Sequence, residues 1–330
     1  MKKVLLSLVV MMVATMSFAQ NTVVASLSHE GETTMFYGLN GLVNAAAAAQ
    51  SGDIINLSRG IFNPTTIKAG ITLRGAGIDS EDPTYINGIM YIYIPTEDAN
   101  RFTMEGIICN DEVRMSGTFS TPQIVKCLLN RGFTTEKNTD NIDILVVNSK
   151  VLDHFYVGGT SPASLVNSYI GEPGVYDNAH IMGTNCILSK YNLGDRMFNT
   201  VWKNCIFWTT NNYSYSLPTS SEATNCVGIP KYYDMFRNLS IRPGCTVADF
   251  ADVFVEFDGT NYTGDQAFKL TETAKTTYLG TDGTEVGLYG GPIPFNLNLS
   301  YPLISTMKVD EQTDSEGKLG VTIEVKKIGN

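Results

Sequence analysis

Positive charge is scarce in this chain, and what there is never clusters. Its 330 residues carry 23 lysines and arginines against 33 aspartates and glutamates, a formal net charge of −10, without a basic run. Such a chain is a poor partner for a phosphate backbone, which argues against nucleic-acid binding. Histidine occurs only at His29, His154 and His180, and no Cys-x2-Cys pair exists, so the spacing of a structural zinc site is missing. No apolar run reaches the ~20 residues of a membrane-spanning helix. Charged residues make up only 17%, yet 43% of the chain is hydrophobic, enough for a full core and too much for global disorder. Helical 3.6-residue periodicity is rare as well. The 30 glycines and 16 tyrosines, with many asparagines and threonines, speak for strands and turns.

The chain opens with what reads as an address. Lys2-Lys3 precedes an apolar run from Val4 to Met16, followed by Ser17-Phe18-Ala19. A positive start, a short apolar stretch and small residues before the cut describe a secretory signal peptide over 1–19. The run from Val4 to Met16 falls well short of a spanning anchor. No cysteine follows Ala19, so no lipid anchor is indicated. The expected location is secreted, periplasmic or at a bacterial cell surface, and the protein is not expected to be integral to a membrane.

A repeat organises the middle. Val147-Asn148-Ser149-Lys150-Val151, Val166-Asn167-Ser168-Tyr169-Ile170, Thr184-Asn185-Cys186-Ile187-Leu188, Lys203-Asn204-Cys205-Ile206-Phe207 and Thr224-Asn225-Cys226-Val227-Gly228 align at near-constant spacing. Upstream, Lys126-Cys127-Leu128-Leu129 fits the register with Lys in the Asn slot, and Gly106-Ile107-Ile108 lies one further unit back. A unit this short cannot bury its own apolar face, so units must stack, strand upon strand at ~4.8 Å. That is a parallel β-helix. Alternation along each strand makes Ser149, Ser168, Cys186, Cys205 and Cys226 one inward column, and Val151, Ile170, Leu188 and Phe207 a second. Lys150 and Tyr169 face outward, but Ile187, Ile206 and Val227 in their column are apolar and imply a covered flank. Asparagine suits the bend because it tolerates the left-handed backbone region.

The six cysteines follow this period. An even count in an exported chain ordinarily argues for disulfides. Here Cys and Ser alternate in one slot, which describes stacked, buried thiols. Stacked neighbours still lie within bonding reach, so a bridge stays open. Cys109 and Cys127 fit the same wall, and Cys245, in Arg242-Pro243-Gly244-Cys245, has no assigned place.

Both ends carry a likeness to a known group. Leu39–Ala49 reads as a short Ala-rich helix, followed by Ser51-Gly52-Asp53, Ile54-Ile55-Asn56-Leu57, Arg59-Gly60-Ile61-Phe62 and Leu73-Arg74-Gly75-Ala76-Gly77. This order resembles the opening of right-handed parallel β-helix proteins of the pectate-lyase-like superfamily, in which such a helix caps the open core. The resemblance makes Asp53 and Arg74 structural. Asp282-Gly283 through Tyr289-Gly290-Gly291 is similar to the segment that closes many secreted bacterial members. Beyond it, Tyr301–Val309 and Leu319–Val325 flank a polar turn and read as a hairpin. The expected organisation is a signal peptide (1–19), an N-terminal segment with capping helix (20–50), a parallel β-helix with closing coils (51–295) and a C-terminal hairpin or attachment segment (296–330). The fold class is all-β, a solenoid of about ten coils.

The resemblance implies fold more than chemistry, because such folds host lyases, hydrolases and adhesins alike. In polysaccharide lyases on this fold, acidic side chains on one outer face hold calcium and a lysine or arginine removes the proton beside a sugar carboxylate. Five positions after the ladder asparagines stand Asp153, Glu172, Lys190 and Thr209; ten after stand Gly158, Asp177, Asp195 and Ser214. Asp153, Glu172, Asp177 and Asp195 are therefore candidate calcium ligands, and Lys190 and Arg196 candidate bases, with His180 near the second group. Charges on outer columns also serve solubility alone. Trp208, Tyr213 and Tyr215 are candidate sugar-stacking rings. The first expectation is an exported, non-catalytic glycan-binding or cell-surface protein without a cofactor. The alternatives are a calcium-dependent lyase of uronic-acid polymers, using Asp153, Glu172 and Lys190, and a structural surface protein or adhesin.

Overall fold

At the repeat's bend every coil takes its backbone into the left-handed region. Lys126, Asn148, Asn167, Asn185, Asn204 and Asn225 have φ between +44° and +55°, and Gly106 holds the slot before them at +69°. Asparagine supplies this conformation at low cost because its amide can bond locally. The bend amides also join the coils: Lys126 N–H donates to the Val147 carbonyl at 3.0 Å, Asn148 to Val166 at 3.1 Å and Asn185 to Lys203 at 3.0 Å. The computed structural model describes residues 23–95, 98, 101–117, 121–136, 143–160, 162–176, 178–189, 196–208, 216–230, 234–255 and 267–299, with the backbone of strands 303–309 and 321–326. The expected signal peptide lies outside these residues.

On either side of the bend the strands build two sheets, one of eleven strands and one of fourteen. Strands adjacent in space are one coil apart in sequence and run parallel, from Ile54–Leu57 through Leu73, Met104, Ile124, Val146, Leu165, Gly183 and Trp202 to Ala223. The result is a parallel β-solenoid of about eight turns, fewer than the ten expected. After Val247 the described chain adds no further coil. It forms a helical turn at Phe250–Val253, a short helix at Glu272–Thr277 and a run of tight turns.

Apolar side chains pointing inward from both sheets form one continuous core along the stack. Trp202 takes its room from the preceding coil, where a Cβ on Gly183 would lie 2.2 Å from the indole ring. The indole N–H donates to Thr200 Oγ1 at 2.8 Å, so the buried ring keeps its polar atom satisfied. The Cys/Ser column is inward as expected and makes its own ladder. Ser149 N–H donates to Ser168 Oγ at 3.1 Å, and Cys186 N–H to Cys205 Sγ at 3.4 Å. All six cysteines are free thiols. Burial pushes Cys127 up to about 12 and raises Cys109 and Cys205, which keeps these thiols protonated and inert. A second asparagine ladder, from Asn130 through Asn110 to Asn87 at 3.0 and 3.1 Å, lines another bend of the early coils.

The N-terminal end is closed by the helix Gly41–Ala48, which buries Leu42 and Ala45 over the first coils. The hairpin Val24–His29 and Glu32–Tyr37 adds antiparallel strands beside Ile54–Leu57. Asp53 is structural: its carboxylate accepts the Gln50 N–H at 2.7 Å and pairs with His29 Nδ1 at 2.7 Å. At the far end the closing motif departs from the closing coil expected of it. Residues 279–299 form a strap that runs back along the asparagine bend. Asn225 Nδ2 donates to the Leu279 carbonyl at 2.9 Å, Asn204 Oδ1 accepts from Thr281 N–H at 2.9 Å, and Asn167 Nδ2 donates to Leu288 and Gly290 at 2.8 Å. Lys126 Nζ then donates to the Asn298 carbonyl, and Leu299 packs at Gly77. Gly290 must be glycine, since a Cβ would meet the Glu285 carbonyl at 1.7 Å.

The strap and the short helices also explain the apolar outward column. Tyr169, Ile187, Ile206 and Val227 are buried in a second core against Phe254, Phe268, Leu270, Val286 and Leu288. Each such side chain withdrawn from water is worth about 1.5–3 kcal/mol, so the covered flank is a substantial part of stability. Strands Leu303–Val309 and Val321–Lys326 pair antiparallel with one another.

Candidate functional site

With the asparagine bend strapped over, the uncovered decoration lies on the outward side of the strands that follow the second bend. The strands Met90–Tyr93, Val113–Ser116, Gly132–Thr135 and Lys150–Val157 stack parallel there. Their inward residues, Met90, Ile92, Val113, Met115, Phe133, Phe155 and Val157, belong to the main core. Strand alternation therefore sends Tyr91, Tyr93, Arg114, His154 and Tyr156 outward. Tyr91 and Tyr93 are 42% and 51% exposed and share one strand face. They stand two residues apart, about 7 Å along the strand. Arg114 lies beside Tyr91 on the next coil.

A charged and aromatic cluster continues from this pair. Glu112 is buried at its centre, accepting from Arg114 Nε at 2.7 Å and meeting His154 Nε2 at 3.1 Å. Burial alone would raise its carboxyl, but hydrogen bonds from Thr134, His154 and Arg114 outweigh it and hold Glu112 below the usual carboxylate range. Gly132 lies between these two coils at φ +106°; a Cβ there would meet the His154 carbonyl at 2.2 Å. His154 and Tyr156 stack with centroids 4.9 Å apart, and Tyr156 meets Tyr176 edge-on at 5.5 Å. Arg196 lies over both tyrosines, 4.8 and 5.2 Å from their centroids, and its Nη1 donates to Tyr176 Oη at 2.9 Å. Tyr156 donates to Glu172 Oε1. Burial and that carboxylate raise the Tyr156 phenol, which makes it a hydrogen-bond donor at neutral pH. Gly174 leaves the space beneath the Tyr156 ring, 2.9 Å from where a Cβ would stand.

The residues singled out from sequence meet this face in part. Arg196, Glu172 and Asp153 all reach it. Asp153 and Glu172 do not share a register position, because an irregularity between Val151 and His154 sets His154, not Asp153, opposite Glu172. Asp153 Oδ2 lies 3.6 Å from His154 Nδ1, and Glu172 turns to Tyr156. These donors do not converge on one point, and among the described residues no three His, Cys, Asp or Glu side chains gather as a cation's ligands. The described donor set therefore does not fit calcium. Asp177, Asp195, Lys190, Tyr213 and Tyr215 lie outside the described residues. Trp208 is only 4% exposed; it packs against Phe250 and Phe268 beneath the covered flank, which corrects the expectation of an exposed ring there. His180 sits on the other sheet beside Pro162.

Sequence reasoning passed over Tyr91, Tyr93, Glu112, Arg114, His154, Tyr156 and Tyr176. The signal was present in Tyr91-Ile92-Tyr93, Val113-Arg114-Met115 and His154-Phe155-Tyr156, where polar or aromatic residues alternate with apolar ones. No protein-family model matches the chain, no curated protein matches it, and no solved structure matches it. Chemical geometry must carry the functional assignment.

Proposed function

We propose that the protein is an exported, non-catalytic glycan-binding β-solenoid that holds its ligand on the face bearing Tyr91, Tyr93 and Arg114. The observation that carries this reading is the pair of exposed tyrosine rings fixed on one strand, with an arginine one coil away. Sugar rings present apolar faces and hydroxyl edges, and such a surface matches both with stacking and directed hydrogen bonds. Because the rings stand on a packed sheet, little conformational freedom is lost on binding. The same reading takes the coil as right-handed, of the pectate-lyase-like kind, in keeping with the strong preference of parallel crossovers. It takes 1–19 as a removed signal peptide and the paired strands of 296–330 as an attachment segment. Location is then the periplasm, the cell surface or outside the cell. Among the described residues no helix is long and apolar enough to cross a membrane.

One observation favours a catalytic alternative: Tyr156, Glu172, His154 and Arg196 meet in a single cluster, and an arginine is suited to pair with a sugar carboxylate. The corresponding activity is lysis of a uronic-acid polymer. A panel of neutral and acidic polysaccharides separates the readings. Binding to at least one polymer without growth of unsaturated-product absorbance supports the glycan-binding role. Growth of that absorbance on uronate polymers would establish the lyase, and absence of both would leave a structural surface protein.

A further inference from the structure

The thiol column continues one coil beyond the asparagine repeat and ends at the surface. Gly244, at φ +68°, fills the bend slot one repeat after Asn225, and Cys245 follows it as Cys226 follows Asn225. Parallel pairing of Val227 with Thr246 makes Cys226 and Cys245 vertical neighbours, and Thr246 N–H donates to the Cys226 carbonyl at 3.0 Å. Paired strands lie about 4.8 Å apart, inside the ~4.4–6.8 Å separation of Cα atoms that a disulfide spans. Cys186 and Cys205 are fully buried with only buried members of the column above and below them, whereas Cys226, also buried, has the partly exposed Cys245 as its neighbour. Cys245 is the partly exposed member, and its strand, Thr246–Val247, is only two residues long with both exposed. That coil has the latitude to bring the two sulfurs into bonding geometry.

We propose that Cys226 and Cys245 form a disulfide that clasps the last coil. The oxidant is a small-molecule disulfide. The partly exposed Cys245 thiol, losing its proton to solvent as it reacts, attacks one of its sulfurs, expelling one thiolate and leaving a mixed disulfide. The Cys226 thiolate then attacks Cys245 Sγ, forming the protein disulfide and expelling the second thiolate. Two protein thiols lose two electrons and two protons, and the oxidant gains both as two thiols. Closing the loop between the two cysteines limits fraying of the solenoid's open end.

The full chain, incubated with oxidised glutathione and then denatured, should show two fewer reactive thiols than its six cysteines, and all six after reduction. Peptide mapping should join the Cys226 and Cys245 peptides, and oxidation should raise the urea midpoint. Cys245→Ser and Cys226→Ser, the latter placing in the column the residue found at Ser149 and Ser168, should each lose the cross-link and the midpoint shift. Six free thiols after oxidation, a stable glutathione adduct on Cys245, or a bond between any other pair would overturn the proposal.

Discussion

Asn204 is the residue at which bend and strap are most directly coupled, and replacing it separates the two. Its backbone sits at φ +55°, its Oδ1 accepts from Thr281 N–H at 2.9 Å, and its carbonyl accepts from Gly287 N–H at 2.9 Å. Asn204→Ala imposes the left-handed penalty of about 1–2 kcal/mol on alanine. It also removes the part-buried hydrogen bond to the Thr281 N–H, worth about 0.5–1.5 kcal/mol. The combined loss is about 1.5–3.5 kcal/mol. Asn204→Gly meets the backbone demand freely, so it keeps only the lost hydrogen bond and about 0.4–1 kcal/mol of added unfolded-state freedom. Equilibrium urea unfolding followed by tryptophan fluorescence measures both, since Trp202 is fully buried in the core. Glycine should be less destabilising than alanine by about 1 kcal/mol, and both should fall below wild type. Equal losses for the two variants would refute the backbone argument. A glycine variant as stable as wild type would refute the claim that the strap is held by this side chain.

Three further outcomes follow from the same structure. Gly183→Ala should cost about 1–3 kcal/mol by overpacking against Trp202, and Trp202→Phe in the same chain should restore part of that loss, with unfolding of both followed by circular dichroism. Cys186→Ser should change stability by less than about 1.5 kcal/mol, because a hydroxyl already fills this slot on two coils and keeps an acceptor in place. The depressed Glu112 carboxyl supplies stability that is present above its unfolded value, about 4.3, and is lost as pH falls through the lower folded value. Thermal melts of wild type should therefore decline more steeply with acid than those of Glu112→Gln, which lacks that proton uptake; parallel curves would contradict it.

Much of the fold was legible because one backbone requirement recurs. A left-handed bend selects Asn or Gly, so Asn148 through Asn225 announced the coil period, and Ser149 through Cys226 announced an inward wall. The apolar Ile187, Ile206 and Val227 in an outward column announced a covered flank, which the second core supplies. The repeat was lost at Gly244-Cys245 because glycine replaced asparagine, although the spacing persisted. The strap was harder to see, since its contacts join residues far apart in sequence through backbone carbonyls, as Asn167 does with Leu288 and Gly290. At the candidate site, one irregularity after Val151 shifts Asp153 out of the column that counting from the bend assigns it. Counting also ignored the earlier coils, where no asparagine at the bend marked the register and where Tyr91, Tyr93 and Arg114 stand.

The glycan-binding role is tested most directly by titrating a polysaccharide that wild type binds into the Tyr91→Ala/Tyr93→Ala double variant. Both rings are exposed, so the fold and its melting temperature should be retained. Two stacking contacts at about 0.5–1.5 kcal/mol each predict affinity weaker by about fivefold to about 150-fold. Unchanged affinity in a folded double variant would contradict the assignment of this face.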